Sequence, residues 1–547
     1  MLSTRYTRAI CSRGTSFRIA KSGAVALGKN PFFEIACLNF WLGLADKIRK
    51  FDRVVVLQNK NGTSGNSMLG ALGMQLISKY ANVAVQLVIT MVLARLLTPE
   101  QYGTVAIVTV FTSFFTILSD LGVSTAIVQF KNLSKKDCNG LFFFSAILGA
   151  ALAASFCLLS LPISYVYGDS ILVTLCCVAS LSILFNTLNM VPNGILMREK
   201  RFKSISIRLV VVSVTSGAVA ILLAFFGFGC YALVWNSVLT AAFVFFWNWT
   251  ATRLEFSNRN FMEPLKAIWR FSVFQGGFSI INYFARNLDN LLLGATVGTA
   301  ALGYYDKAYK LMQYPLNYLT GIFSNVLQPY LSEFQNDYKR LYSSWLSICR
   351  ILALVGSLVT AVFFCFSREI VLVMYGSQWI EAAPALTGLA ISIGFQMVNS
   401  TSGAIFQSAG RTDSLFKSGL ICTGVSILAI FCGVATGSLA ALGAYISIAY
   451  VVHFCITAYL LVWKILGVSP RAFLRNFVPS IVAAAAGICA SLLASSLCAG
   501  INAVVLMAMR VLACLAGYVV VILITREYRC VKAFKDMRNI GATDDRS

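Results

Sequence analysis

The sequence predicts an all-α polytopic membrane protein with about fourteen transmembrane helices: two pseudo-symmetric six-helix lobes and two C-terminal helices. Three observations predict this class: the apolar composition, the recurrence of long apolar runs, and the placement of basic residues between those runs. Of the 547 residues, 58% are hydrophobic and 12% are charged, and the mean hydropathy is +0.77. Soluble domains carry about 25% charged residues. A lipid bilayer is therefore the expected environment.

Apolar runs of membrane-spanning length recur from residue 70 onward, since a helix needs about 20 residues to cross the hydrocarbon core. No run shows the long period-two alternation of a β-barrel strand. The predicted spans 1 to 14 are residues 70–93, 103–122, 140–162, 169–190, 205–226, 229–250, 271–296, 300–328, 346–366, 384–407, 418–436, 441–463, 477–496 and 503–525.

The basic residues predict the orientation of these spans. With both termini in the cytoplasm, 37 of the 44 Lys and Arg are assigned to the tails or the cytoplasmic loops, counting Arg208 and Arg350 at the ends of spans 5 and 9 with the adjoining loops, while Arg95 and Arg368 lie on the opposite side. Short cytoplasmic loops retain Lys and Arg during membrane insertion. The asymmetry therefore predicts cytoplasmic termini and an even number of spans. It also accounts for the net charge of +23, so no nucleic-acid partner is expected.

Changes in composition define the expected domains. Residues 1–66 are a basic tail, interpreted either as a flexible segment with an interfacial helix or as an over-long gene start ahead of Met68. Its Arg and Ser content superficially resembles a transit peptide. We expect an N-lobe at 67–253, a C-lobe at 254–464, two further spans at 465–525 and a second basic tail at 526–547.

The two lobes show short internal matches. Leu93-Ala94 and Tyr102-Gly103 flank the loop between spans 1 and 2, and Leu293-Gly294 and Leu302-Gly303 occupy the same places exactly 200 residues later. Phe-Lys-Ser recurs at 202–204 and 416–418, after spans 4 and 10. Six spans separate each pair, so the halves have parallel topology. Two such lobes are a recurring transporter plan, in which the substrate path runs between them.

Three predicted spans carry polar residues at helical spacing, which places them on one face. These residues are Gln75, Lys79, Asn82 and Gln86 in span 1; Gln275, Asn282, Arg286 and Asp289, with Asn290 beside them, in span 7; and Asp306, Lys310, Gln313 and Asn317 in span 8. Pairing within the bundle would explain single residues of this kind. Three aligned stripes favour a hydrated cavity instead, because polar residues inside a membrane face a bundle interior or water.

The predicted cavity is cationic. Lys79, Arg286, Lys307 and Lys310 outnumber the two carboxylates, those of Asp289 and Asp306. Arg and Lys are the side chains that bind phosphate, so an anionic substrate is expected. Lys307 lies off the main stripe. Arg510, alone in span 14, is interpreted as extending toward an interface.

Other chemistry is not indicated. The sequence shows no nucleotide-binding or cofactor fingerprint, and its single histidine, His453, is interpreted as a packed helix residue. Most of the 16 cysteines lie in apolar runs, where Cys behaves as a small hydrophobe. We therefore expect no cofactor, no metal site and no enzymatic activity. A membrane polymerase or ligase would need a sizeable outward loop, and none is predicted.

Several stretches resemble the polysaccharide transporter (Wzx-type flippase) family of the multidrug/oligosaccharidyl-lipid/polysaccharide (MOP) exporter superfamily. These are LARLLTPEQYGTVAIVTVF and LSDLGVSTAIVQ around spans 1 and 2, RNLDNLLLGATVGTAALGYYDKAYKLMQYPLN in spans 7 and 8, and VLQPYLSEFQND after them. The positions that carry the resemblance are Leu97, Thr98, Pro99, Gly103, Asp120, Gly122, Gln129, Asp289, Gly294, Gly298, Gly303, Tyr304, Tyr305, Pro329, Ser332, Gln335 and Asp337. In organisation it covers residues 68 to 530, leaving the first 66 without a counterpart.

The resemblance implies a MATE-like fold and a function. Such proteins flip undecaprenyl-pyrophosphate-linked oligosaccharide units across a bacterial inner membrane by alternating access, driven by H⁺ or Na⁺, for exopolysaccharide, capsule or lipopolysaccharide export. A periplasmic polymerase and a chain-length regulator are the implied partners. Rivals are a multidrug exporter, which would prefer carboxylates in its cavity, and a lipid II flippase, which would share the cationic one.

Residue roles follow as hypotheses. Arg286 and Lys310, with Lys79 and Lys307, would bind the pyrophosphate. Asp289 and Asp306 would orient these cations or carry the coupling ion. The remaining candidates would contact sugars, by hydrogen bonds or ring stacking: Gln75, Asn82, Gln275, Asn282, Tyr304 and Tyr305.

Overall fold

The structure is a computed structural model. It describes residues 64–120, 123–130, 133–255, 287–332, 337–498 and 502–527, together with Met262, Tyr283 and Gln335. Every extended regular element among these residues is a helix. The chain divides into two units between Leu72 and Gly73, and all helices after the first lie in the second unit.

The helices of the predicted N-lobe follow one another with short connections. They are α1 (Ser64–Leu96), α2 (Pro99–Asp120), α3 (Val123–Gln129), α4 (Lys135–Tyr167), α5 (Ile171–Arg198), α6 (Phe202–Phe225) and α7 (Cys230–Thr252). Short connections leave little backbone outside helices, as a bilayer requires, because lipid offers no hydrogen-bond partners.

The predicted C-lobe and the two last spans form the rest. They comprise α8 (287–296), α9 (Thr299–Ser332), α10 (Tyr338–Cys365), α11 (Ser367–Tyr375), a 3₁₀ turn (Ser377–Ala382), α12 (Ala383–Ala390), α13 (Ser392–Asn399), α14 (Ser402–Ser408), α15 (Thr412–Ala435), α16 (Leu439–Thr457) with a π-helical extension (Ala458–Ile465), α17 (Pro470–Arg475), α18 (Val478–Leu497) and α19 (Ala503–Thr525).

Local sequence sets several helix ends. Ser134 and Asp137 form a capping box at the start of α4, each side chain accepting from the other residue's backbone N–H. The Asp337 carboxylate accepts from Lys339 N and Arg340 N at the start of α10. Gly168, at φ 68°, ends α4 in the left-handed conformation. These caps fix where the loops begin.

Eleven helices in the described part of the chain are long and apolar enough to cross a membrane, or twelve if one bent pair counts as a span. That pair, Ser377–Ala390 with Ser392–Ser408, bends by 52° within the region predicted as span 10. Helix α9 has 34 residues but carries Asp306, Lys307 and Lys310. Most of predicted span 7 lies outside the described residues. The count of fourteen thus stays a prediction, while the multi-pass helical class is confirmed.

The starts of α2 and α9 cross with their backbones in contact at two glycines. A Cβ built on Gly103 would overlap the carbonyl oxygen of Thr299, and a Cβ on Gly303 would overlap that of Pro99. The two contacts are equivalent under the 200-residue offset seen in the sequence. Only glycine permits so close an approach. This symmetric crossing joins the two predicted lobes.

Further bonds join the same end of the lobes. The side chain of Gln378 donates to Ala94 O at 2.5 Å and to Leu97 O at 3.1 Å, and Trp379 Nε1 donates to Ala94 O at 2.7 Å. Arg95 Nη2 donates to Val373 O at 3.0 Å. The bonds from Gln378 and Trp379 satisfy carbonyls at the C-terminal end of α1, which the helix itself leaves open, and the Arg95 bond reaches a carbonyl of α11.

Two ion pairs attach α19 and its C-terminal extension to α11 and α10. Arg510 Nη1 lies 2.8 Å from Glu369 Oε1, and its Nη2 donates to Cys365 O at 2.9 Å. Near the other end of α10, Arg350 Nη2 contacts both carboxylate oxygens of Glu527, at 2.8 and 2.9 Å. Arg510 is thus held by a carboxylate and a carbonyl rather than extended alone to an interface.

Replacing either crossing glycine by alanine should loosen the crossing. Gly103→Ala and Gly303→Ala each place a methyl group against a backbone carbonyl that no rotamer change can move, so we expect each to lower stability by about 1–3 kcal/mol. Thermal unfolding of the purified protein measures this. Gly419→Ala in α15 is the matched control, because nothing lies within 4 Å of its Cβ position. Equal melting temperatures in all three variants would contradict the crossing.

Candidate functional site

The polar stripe predicted on span 8 forms one face of α9. Lys310 Nζ lies 2.7 Å from Asp306 Oδ2, and one turn further on Asn317 Nδ2 donates to Gln313 Oε1 at 3.4 Å. The Asp306 side chain is 12% exposed and that of Lys310 is 51% exposed. Lys310 therefore has a carboxylate beside it and an open side from which an anion can approach.

The stripe predicted on span 1 lies on α1. Lys79 is exposed, Gln75 and Asn82 are half-buried, and the amide oxygen of Asn82 is buried with no hydrogen-bond partner in the described part of the chain. Gln86 Nε2 donates to Ser213 Oγ at 2.6 Å, which ties the stripe to α6. No ion pair involves Lys79 among the described residues.

A hydrogen bond connects helices α1 and α9 near the two stripes. The Tyr80 hydroxyl, next to Lys79, donates to the carbonyl of Tyr318, next to Asn317, at 3.2 Å. This bond joins the two helices that carry the predicted stripes, one from each predicted lobe. This adjacency is what a path between lobes requires.

Asp289 on α8 is 4% exposed and held by two donors. The Tyr305 hydroxyl donates to its Oδ2 at 2.5 Å, and the Asn290 backbone N–H donates to its Oδ1 at 2.9 Å. Tyr305 is fully buried, with its ring 5.8 Å from that of Tyr309. A sugar could reach the Tyr305 ring only after α8 and α9 move apart. Gln275, Asn282 and Arg286 lie outside the described residues.

Lys307 occupies an aromatic cage made of rings from both predicted lobes. It is 2% exposed, and its Nζ lies 3.6 Å from the ring centroid of Tyr102 on α2, 5.2 Å from that of Tyr375 and 5.8 Å from that of Trp379. The half-buried Tyr304 ring packs edge-on against Trp379 at 6.0 Å. Ring faces attract a cation, so this cage stabilises a charge for which the described residues offer no ion pair.

Two further polar groups were not singled out from the sequence. Arg208, counted there with a basic loop, lies in α6 at 8% exposure, where its Nη1 donates to Asn248 Oδ1 at 2.5 Å and Asn248 Nδ2 donates to Asn189 Oδ1 at 2.7 Å. The position of Arg208 relative to other charged residues in the sequence did not indicate this buried cluster. A cavity of about 370 Å³ between α2, α5 and α7 is lined by hydroxyl side chains. The sequence did carry a signal for this cavity, because Thr109, Thr112 and Thr116 are spaced so that they share one face of a helix.

Metal and histidine chemistry receive no geometric support in the described residues. They contain no group of three His, Cys, Asp or Glu side chains placed to hold a metal ion. His453 Nε2 lies 2.7 Å from Cys422 O and 3.2 Å from Ser426 Oγ of α15. These bonds agree with the interpretation of His453 as a packed helix residue.

Residues 92–384 match the polysaccharide biosynthesis protein family, so the chain belongs to that family. It is 24% identical over 384 residues to the teichuronic acid biosynthesis protein TuaB of Bacillus subtilis (strain 168), covering 69% of this chain and 79% of that protein. It is 24% identical over 401 residues to the lipopolysaccharide biosynthesis protein WzxC of Escherichia coli (strain K12), covering 70% and 79% respectively.

Two solved structures are similar in fold. One is the lipid II flippase MurJ in an inward closed conformation, with a TM-score of 0.63, 13% identity, and coverage of 83% of this chain and 98% of that one. The other is an inward-facing multidrug resistance MATE family transporter of the MOP superfamily, with a TM-score of 0.54, 16% identity, and coverage of 72% and 96%. The predicted MOP/MATE-like fold is confirmed.

The aromatic cage predicts an energetic coupling between Lys307 and Tyr102. Tyr102→Leu removes the nearest ring from a buried cation and should lower stability, whereas in a Lys307→Met background the same change should cost about 1–2 kcal/mol less. A double-mutant cycle of unfolding free energies measures the difference. The control cycle combines Tyr102→Leu with Lys310→Met, and for this pair we expect no coupling. Additive costs in the first cycle would show that the ring does not stabilise the charge.

Proposed function

We propose that this protein is a flippase of a bacterial inner membrane, with both termini cytoplasmic. It moves undecaprenyl-pyrophosphate-linked oligosaccharide units to the periplasmic leaflet by alternating access between an N-lobe (67–253) and a C-lobe (254–464). The observation that most supports the proposal is Lys310: in a member of the polysaccharide biosynthesis family whose fold is similar to that of a lipid II flippase, this lysine is half exposed on a polar face of α9. Its named relatives are a teichuronic acid and a lipopolysaccharide biosynthesis protein.

The charges suit this substrate. A pyrophosphate needs cations that are reachable and not fully neutralised. Lys310 and Lys79 are both exposed, and Asp306 fixes Lys310 without covering it. In this proposal Arg286 completes the anion site from span 7. Lys307 is caged in this conformation and can meet the anion only after the lobes separate.

In this proposal the remaining predicted site residues bind the sugars and the coupling ion. Gln75 and Asn82 on α1, with Gln275 and Asn282 on span 7, supply amide groups for sugar hydroxyls, and Tyr304 supplies a half-buried ring. Asp289, buried beside Tyr305, is the proposed acceptor of the coupling H⁺ or Na⁺. A polymerase and a chain-length regulator on the periplasmic side would use the product.

The decisive measurement is on a strain that lacks this gene. Lipid-linked oligosaccharides are recovered and the membrane leaflet that they occupy is determined. We expect complete single units on the cytoplasmic leaflet and loss of surface polymer. Single units on the periplasmic leaflet would indicate a polymerase or ligase. Unchanged lipids and polymer, in a strain with no second flippase, would indicate a drug exporter, and stranded lipid II would indicate a lipid II flippase.

Removing the proposed anion-binding cations should slow export. Lys310→Ala and Arg286→Ala, expressed in the deletion strain, should each reduce surface polymer at least about tenfold, because charge-assisted bonds to phosphate contribute roughly 1.5–3 kcal/mol each. Polymer yield at equal membrane abundance is the readout. Lys417→Ala, at an exposed lysine at the start of α15, is the control. Wild-type polymer in both variants would refute the binding role.

Asp289→Asn separates the two roles predicted for Asp289. Asparagine still accepts the Tyr305 hydrogen bond but cannot carry a charge, so we expect flipping to lose its stimulation by an H⁺ or Na⁺ gradient while substrate binding persists. Proteoliposomes loaded with lipid-linked units from the deletion strain provide the assay. Asp413→Asn, at the exposed start of α15, is the control. Weakened binding with intact gradient dependence would instead assign Asp289 to orienting Arg286.

A further inference from the structure

The cavity between α2, α5 and α7 is lined by hydroxyl, amide and aliphatic side chains, none of which is ionisable. Its volume of about 370 Å³ falls within the roughly 300–1,000 Å³ of small-molecule sites. Its polar wall comes from three helices that belong to the predicted N-lobe. This wall includes Thr109, Thr112, Thr116, Ser182, Asn186 and Ser237.

Most of these hydroxyls have already used their single proton. Thr109, Thr112 and Thr116 donate to the carbonyl oxygens one turn earlier in α2, at 2.8, 2.7 and 2.9 Å, and Ser182 donates to Ala179 O at 2.7 Å. A hydroxyl has one donor and two acceptor lone pairs. These four side chains therefore present hydrogen-bond acceptors to the cavity. A ligand that binds there must supply hydrogen-bond donors.

This requirement selects among ligand classes. A phosphate bears acceptor oxygens and would face lone pairs with no cation to offset them. An organic cation would find no carboxylate, because no ionisable side chain lines the cavity. A sugar brings several hydroxyl donors on one edge and C–H groups on its faces. Val105, Val108 and Val234 supply an apolar wall for those faces.

Two side chains complete the match. Asn186 and Ser237 line the cavity, and neither hydrogen-bonds to another residue in the described part of the chain. An amide side chain both donates and accepts hydrogen bonds, so Asn186 can donate a hydrogen bond to a sugar hydroxyl or accept one from it. Ser237 and Thr109 are exposed, so the cavity is open to an entering group.

The cavity borders the segment that carries the charges. The hydroxyl of Tyr283, in predicted span 7, donates to the carbonyl of Val110, next to Thr109 on α2. Asp289 and Arg286 belong to the same predicted span. A ligand with an anionic end and a neutral glycan could thus reach span 7 and this cavity together.

We propose that this cavity is a glycan subsite that binds neutral sugar of the lipid-linked substrate through acceptor hydroxyls of the N-lobe. The inference rests on the proposed flippase function and deepens it. The anion is held by cations on α1, α9 and span 7, and the sugar by a separate uncharged pocket. Specificity for the glycan then comes from α2, α5 and α7.

The test removes the acceptors while keeping side-chain shape. The triple variant Thr109→Val, Thr112→Val and Thr116→Val replaces each hydroxyl by a methyl group and breaks no bond between helices. The matched control is Thr215→Val, Thr250→Val and Thr252→Val. These hydroxyls also bond within their own helices, but none lines the cavity.

Flipping is measured for two substrates in proteoliposomes that contain the purified full chain. The first is the complete lipid-linked unit isolated from the deletion strain. The second is the same lipid trimmed by glycosidases to its first sugar. With the complete unit, the cavity variant should be slowed at least about tenfold relative to wild type, since several hydrogen bonds are lost. With the trimmed lipid, the two proteins should differ less than about twofold.

Each outcome is decisive. Slowing confined to the complete unit, with the control variant unaffected, supports a glycan subsite. Equal slowing with both substrates would show a structural effect and overturn the inference, as would wild-type rates with both. If wild-type protein flips neither substrate, the proposed function fails, and the subsite fails with it.

Discussion

The backbone contact between Gly103 and Gly303 is the constraint on which the packing of α2 against α9 depends. Helices in a membrane gain little from the hydrophobic effect on association, because lipid tails are as apolar as their side chains. Close packing must supply the attraction instead, and two glycines at equivalent positions bring α2 and α9 into backbone contact. The crossing sets Lys307 against Tyr102 and lets Trp379 bond to the end of α1. One close approach therefore positions the cage.

Two kinds of ion-paired cation in the described helices have different consequences. Arg510 and Arg350 each meet a carboxylate, and both pairs attach the C-terminal part of the chain to the C-lobe. Such pairing removes the cost of an isolated charge away from water. Lys310 has its carboxylate too, yet half of its side chain stays open. The first group stabilises the structure, and Lys310 is left able to meet an anion.

The proposed substrate has an anionic part and an uncharged part, and the protein has a cationic region and an uncharged cavity. A lipid-linked oligosaccharide has a pyrophosphate, which requires cations, and a glycan, which requires many weak hydrogen bonds. The cationic residues lie on α1, α9 and span 7, whereas the cavity lined by Thr112, Ser182 and Asn186 has no charge. In the proposed arrangement no ion has to be desolvated in the cavity that would bind the sugar.

The sequence by itself determined the features that depend on local periodicity or on direct repetition. Apolar runs about 20 residues long gave the membrane helices, and the spacing of Asp306 and Lys310 by four residues placed them side by side on α9. The 200-residue offset between Gly103 and Gly303 indicated a duplicated plan, and those glycines meet across the crossing.

Only the tertiary structure decided which side chains meet from distant segments. Lys307 is one residue from Asp306, yet it turns toward rings from α2, α11 and the 3₁₀ turn. Arg510 finds its carboxylate 141 positions earlier in the chain, at Glu369. The cavity of about 370 Å³ is formed by three helices together, α2, α5 and α7. Helical periodicity states which residues share a face, but the partner of that face is chosen by packing between helices, which a single stretch of sequence does not encode.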